Sequence, residues 1–147
     1  MSETIASILR DKPNVIWSVA PQATVYDAIA MMAERGVGAL LVVVEGTLVG
    51  ILSERDYARK VILQGRSSKD TQVREIMTGE VITVTPQHTV DECMGIMTNR
   101  HIRHLPVLDQ GKLVSVVSIG DLVKAIISAQ AHTINHLHSY IGSNYPV

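Results

Sequence analysis

The chain has 147 residues, 46% of them hydrophobic and 18% charged, which suits one folded domain or two small units sharing a core and excludes wholesale disorder. Thirteen Lys and Arg nearly balance fourteen Asp and Glu, so no broad basic face exists for nucleic-acid phosphates, and nucleic-acid binding is not expected. Cys93 is the only cysteine, no apolar run approaches the ~18 to 20 residues of a membrane span, and no signal-peptide pattern opens the chain; a soluble, cytoplasmic protein is expected.

Residues 15–19 read as a short apolar strand that runs into a turn at Pro21. Thr24 then stands at a helix N-cap with Asp27 three residues later, and Val25, Ile29 and Met32 recur at helical spacing. Residues 40–44 and 48–52 flank Glu45-Gly46-Thr47 as a β-hairpin, and a second helix follows. After a polar stretch, residues 64–70, the same order returns. A shift of 65 residues lays Val19 on Val84, Pro21 on Pro86, Thr24 on Thr89, Gly46 on Gly111, Ser53 on Ser118 and Asp56 on Asp121, without a gap from Val19 to Ile62. About a third of the aligned positions are identical. The second copy therefore predicts a strand over 81–84, a helix capped by Thr89 and Glu92 with Val90, Met94 and Met97 inward, a hairpin of 105–108 with 113–117, and a last helix running past the repeat.

The duplicated β-α-β-β-α order carries Gly50-Ile51-Leu52-Ser53-Glu54-Arg55-Asp56 in one copy. The other has Arg103-His104-Leu105-Pro106-Val107 leading to Ser118-Ile119-Gly120-Asp121. This pattern resembles the CBS domain family, and a stand-alone bacterial CBS pair (a Bateman module) in particular. The resemblance covers roughly residues 4–130. It implies an α/β (α+β) fold of two tandem repeats packed as one pseudo-two-fold module, commonly a homodimer, with adenosine-containing ligands in clefts between the repeats. The expected divisions are a first repeat with an amino-terminal segment over 1–66, a linker over 67–73, a second repeat over 74–130 and a helical extension over 131–147.

Each Ser-x-x-Asp has two compatible readings. It can be a plain capping box, or the helix start can also face a nucleotide, with free N–H groups for phosphate and a carboxylate for both ribose hydroxyls. The resemblance favours ribose contact at Asp56 and Asp121. Around Asp121, an AMP-like ligand is expected to meet Ser118, Arg103, His104, Leu105 and Pro106. It also implies Thr78 and Thr83 there, with Ile82 as an apolar contact. Around Asp56, the expected residues are Ser53, Arg55, Ile16, Trp17, Gly38 and Ala39. Gly38 and Ala39 replace Arg103 and His104, removing charge and bulk, so a larger ligand such as NAD or NADH is expected there; Arg55, Arg59 or Lys60 could supply the missing charge. ATP and S-adenosylmethionine rank behind AMP and NAD.

His132 and His136 have the i, i+4 spacing of a helical metal pair, with His138 close by, but an apolar stripe of Ile127, Ile134, Leu137 and Ile141 competes for that helix, and no metal is expected. The stripe suits packing on the module or on a second subunit. No nucleophile and base stand at credible spacing, so no enzyme is expected. The leading reading is an adenine-nucleotide sensor of energy or redox state acting on an unidentified regulated protein. A structural dimerisation module without a ligand is the alternative.

Overall fold

The computed structural model describes residues 3–12 and 15–144, and the side chains among them except at 132, 136 and 138–144. The elements, in chain order, are α1 (Ile5–Asp11), β1 (Ser18–Val19), α2 (Val25–Arg35), β2 (Ala39–Val44), β3 (Thr47–Ser53), α3 (Glu54–Tyr57) with a π-helical turn (Ala58–Ile62), α4 (Val73–Ile76), α5 (Val90–Arg100), β4 (His104–Asp109), β5 (Lys112–Ser118) and α6 (Ile119–Asn144). This is a mixed α and β chain with the duplicated order read from the sequence. Packing nonetheless groups it into two units that interleave along the chain. One comprises Asn14–Thr83 and Pro106–Ser115, the other Met1–Pro13, Val84–Leu105 and Val116–Val147.

In the first unit, β1 pairs parallel to β2, which pairs antiparallel to β3 with a bulge between Val42 and Val43. The hairpin loop is Glu45-Gly46, with φ of 47° and 80°. Two successive positive φ values match the right-handed twist of the strands, and glycine accepts the second at little cost. Thr24 Oγ1 accepts a bond from Asp27 N at 3.1 Å and starts α2, whose Val25, Ala28 and Met32 are buried against Leu40, Val42, Leu52, Val61, Val73 and Ile76. Gly36, at φ 67°, ends the helix in the left-handed conformation.

The predicted linker is not a loose spacer. Val25 N donates to Thr71 O at 2.8 Å, Val73 N to Ala23 O at 2.8 Å and Arg74 N to Pro21 O at 2.9 Å, so this segment satisfies backbone groups around the start of α2. Thr71 is buried and donates its hydroxyl to Ser67 O at 2.7 Å, and Val73 opens α4.

The second unit repeats the helix chemistry with two changes. Thr89 and Glu92 exchange bonds of 3.1 and 2.9 Å in a full capping box, and Val90, Cys93 and Met97 are buried on one face of α5. The left-handed C-cap here is His101, at φ 56°, where the first repeat has Gly36. Ile5 of α1, Leu105, Val117 and Leu122 are also buried, and α5 packs on α6. The start of α1 is held by Ile5 N donating to His88 O and Ala6 N to Pro86 O, at 2.8 and 2.9 Å.

Two strand expectations need correction. The strand over 15–19 is only Ser18–Val19, and of 81–84 only Val84 makes a bridge, because no continuous ladder partner is offered to the rest. Helix α1 was not anticipated, since seven residues carry too little periodicity to be read. Among the described residues no helix is long and apolar enough to cross a membrane.

Candidate functional site

At the end of β3, Ser53 N donates to Asp56 Oδ2 at 2.9 Å and Asp56 N to Ser53 Oγ at 3.2 Å, so the box predicted from the sequence caps α3. The Ser53 hydroxyl adds a bond of 3.1 Å to the same carboxylate oxygen. The other oxygen, Oδ1, lies 3.3 Å from Lys60 Nζ, one turn along the helix, and Lys60 also donates to Ile76 O at 3.0 Å. Lys60 is thus a counter-ion of Asp56 rather than a cation held open for phosphate. Arg59 is exposed and Arg55 half-buried.

Gly38 O accepts from Glu54 N at 3.0 Å, which sets Gly38 and Ala39 against the first turn of α3 as the sequence suggested. Thr78 and Ile51 exchange backbone bonds of 2.9 and 3.0 Å, so Thr78 stands beside β3 of the first repeat. Gly50 permits this approach: a Cβ there would lie 2.6 Å from Met77 Sδ and 3.1 Å from Thr78 O. Ile82 and Thr83 are half-buried and belong to the same packing unit as Asp56. Ile16 is half-buried just before β1, and Trp17 packs against the core with the Arg35 guanidinium 4.2 Å from its ring centroid. One face of that ring is therefore already taken by a cation–π contact.

A groove of about 540 Å³ between α2 and α3 is walled by Ile29, Met32, Ala33, Gly36, Val37, Gly38, Glu54, Tyr57 and Ala58. Gly38 alone of the predicted residues lines it, beside Glu54 from the turn that carries the Ser53–Asp56 box. Its sequence signal was the run of small residues at 33, 36, 38 and 58.

The second repeat reproduces the arrangement within its own unit. Arg103 O accepts from Ile119 N at 2.8 Å, placing exposed Arg103 and half-buried His104 by the first turn of α6. Ser118 N donates to Asp121 Oδ2 at 2.8 Å and Asp121 N to Ser118 Oγ at 3.2 Å. Leu105 and Pro106 are buried in β4. The counter-ion comes from a different place: Lys12 Nζ lies 2.6 Å from Asp121 Oδ2 and also donates to Val116 O. Sequence reading missed Lys12. The available signal was the repeat register, which lays Lys12 on Met77, the residue that lies against Gly50.

Burial is the largest influence on Asp121 and raises its pKa, but the Lys12 ammonium and the Ser118 N–H and hydroxyl together outweigh it and hold the carboxyl below its ordinary value of 3.8. In α5, burial first and the Glu92 charge second push the Cys93 thiol up to about 11, so it is protonated at neutral pH. Among the described residues no three His, Cys, Asp or Glu side chains group as metal ligands. The side chains of His132, His136 and His138 lie outside the described residues.

A family model described as the CBS domain matches residues 5–62 and again residues 73–128. The CBS domain-containing protein CBSX3, mitochondrial, of Arabidopsis thaliana is 42% identical over 154 residues, covering 98% of this chain and 74% of that protein. Among solved structures, a protein with CBS domains from Burkholderia ambifaria is 56% identical, with a TM-score of 0.84 over 86% of this chain and 96% of that one. The CBS domain pair of protein MJ0100, solved in complex with 5′-methylthioadenosine and S-adenosyl-L-methionine, shares the fold at a TM-score of 0.77 and 24% identity, covering 88% of this chain and 99% of that one.

The depressed Asp121 pKa gives a pH prediction. A carboxyl whose folded pKa lies below its unfolded value contributes stability above 3.8 and loses it as pH falls through the lower folded value. Urea denaturation of the chain and of Asp121→Asn should differ most at neutral pH, and the gap should shrink in acid below 3.8. A gap that is constant with pH would contradict this assignment.

Proposed function

The chain belongs to the CBS domain family, and on that footing we propose that it is a regulatory module that binds adenine nucleotides through Asp56 and Asp121, with no chemistry of its own. The observation that carries the reading is the duplicated helix start, where a Ser box holds a carboxylate in one orientation in each repeat. Two hydroxyls of a ribose can each donate to one carboxylate oxygen, and the helix dipole favours a phosphate at the same end. That the same fold holds two adenosine-containing molecules in the MJ0100 pair supports the ligand class.

The two sites differ in charge. Arg103 and His104 stand where a phosphate dianion would reach the start of α6, whereas Gly38 and Ala39 offer space and no charge at the start of α3. The proposed ligands are AMP at Asp121 and the larger NAD or NADH at Asp56, now with Thr78 among the Asp56 residues. Nucleotide occupancy would be passed to a separate regulated protein, and the compartment proposed is the cytoplasm.

A homodimer is part of the proposal. Ile119, Val123, Ile127, Ile134 and Leu137 are exposed and fall on one face of α6, and a contiguous apolar strip of that kind is most stable against another subunit. Sedimentation should report twice the chain mass, and a clean monomer at about 50 µM would count against the dimer.

Losing one charge-assisted bond weakens binding by roughly 1.5 to 3 kcal/mol, tenfold or more. Calorimetric titration should therefore show Arg103→Ala weakening AMP by at least tenfold and NAD little, and Asp56→Ala doing the reverse. Parallel losses for both ligands in either variant would remove the case for distinct sites. A thermal melt unmoved by AMP, NAD or NADH would favour a purely structural module.

A further inference from the structure

Both box carboxylates carry an ammonium, but the two lysines are tethered differently. Lys60 sits four residues beyond Asp56 on the same helical segment, its side chain 46% exposed, and its other bond goes to Ile76 O. Lys12 comes from the end of α1, 109 residues away in sequence, and is only 26% exposed. It donates both to Asp121 and to Val116 O, the carbonyl two residues before Ser118. Two of its three N–H donors are thus spent on the residues that build the second site.

The carboxylate oxygen that Lys12 occupies, Oδ2, is the one already bonded by Ser118 N; neither bond uses Oδ1. A ribose that engages both oxygens can begin at Oδ1, but it completes its second bond only where Lys12 now stands. Lysine suits such an exchange, being a point charge on a flexible four-carbon stem with no fixed fork geometry. We propose that Lys12 is a built-in competitor of the ribose: the amino-terminal segment closes the Asp121 site in the free protein, and nucleoside binding expels Lys12 and releases the end of α1. The inference rests on the reading that Asp121 receives a ribose. Because the start of α1 is anchored by buried Ile5 and by bonds to His88 O and Pro86 O, release would loosen its last turn and leave the first in place, turning occupancy into a local change on the amino-terminal segment.

Adenosine is the suitable probe, since it has the ribose and lacks the phosphate that an ammonium could also attract. Lys12→Met keeps the stem length and removes the charge. In calorimetric titration of the full chain it should bind adenosine at least threefold more tightly than the unaltered protein. In the unaltered protein, saturating adenosine should raise acylation of the Lys12 amine, read by mass spectrometry, and speed amide exchange over residues 9–12, a readout that needs no variant. Adenosine binding that depends on Asp121 but is equal or weaker in Lys12→Met, with Lys12 acylation unchanged, would overturn the competitor role and leave the ribose reading standing. Binding to neither protein would overturn both.

Discussion

The proposed nucleotide sites rest on a local exchange of two hydrogen bonds, made once at Ser53 and Asp56 and again at Ser118 and Asp121. The box ends a strand, starts a helix and fixes the aspartate rotamer in one stroke, satisfying helix N–H groups that would otherwise need water. A carboxylate held this way is already oriented before any ligand arrives, which is the condition for recognising a diol at low entropic cost. The carbonyl of the residue before the hairpin's first strand, Gly38 before β2 or Arg103 before β4, is bonded to the first helix N–H in each copy, so strand entry and helix start are tied at one point.

The same tie lets the two copies differ in side chain at one backbone position. Gly38 and Arg103 occupy equivalent backbone positions with equivalent bonds, so the side chain is free to vary without disturbing the fold. One copy shows a bare backbone to the helix start and the other a guanidinium. The counter-ions diverge in the same manner. Lys60 belongs to the helix it neutralises, while Lys12 brings in a distant segment. Backbone symmetry with side-chain asymmetry gives the two helix starts different charge and different counter-ions.

Much of this was legible in the sequence. The repeat register, both Thr caps, the two hairpins and the Ser-x-x-Asp boxes are local devices whose residue types dictate their geometry, and the structure holds all of them, with each hairpin loop shorter than read. What could not be read depends on distant pairing. The strand expected over 81–84 lacks a ladder partner along most of its length, and Thr78 goes to Ile51 because Gly50 opens a gap there. Lys12 meets Asp121 through a contact no local pattern encodes. Trp17 offered a flat ring to any base, but Arg35 at the far end of α2 lies over it.

The central claim is that the box aspartates read a ribose diol, and it is tested most directly by comparing adenosine with 2′-deoxyadenosine on the unaltered protein. Removing one hydroxyl leaves base and shape nearly intact and deletes one charge-assisted bond, so calorimetry should find the deoxynucleoside weaker by about tenfold or more. Equal affinities would show that Asp56 and Asp121 cap their helices and do nothing else.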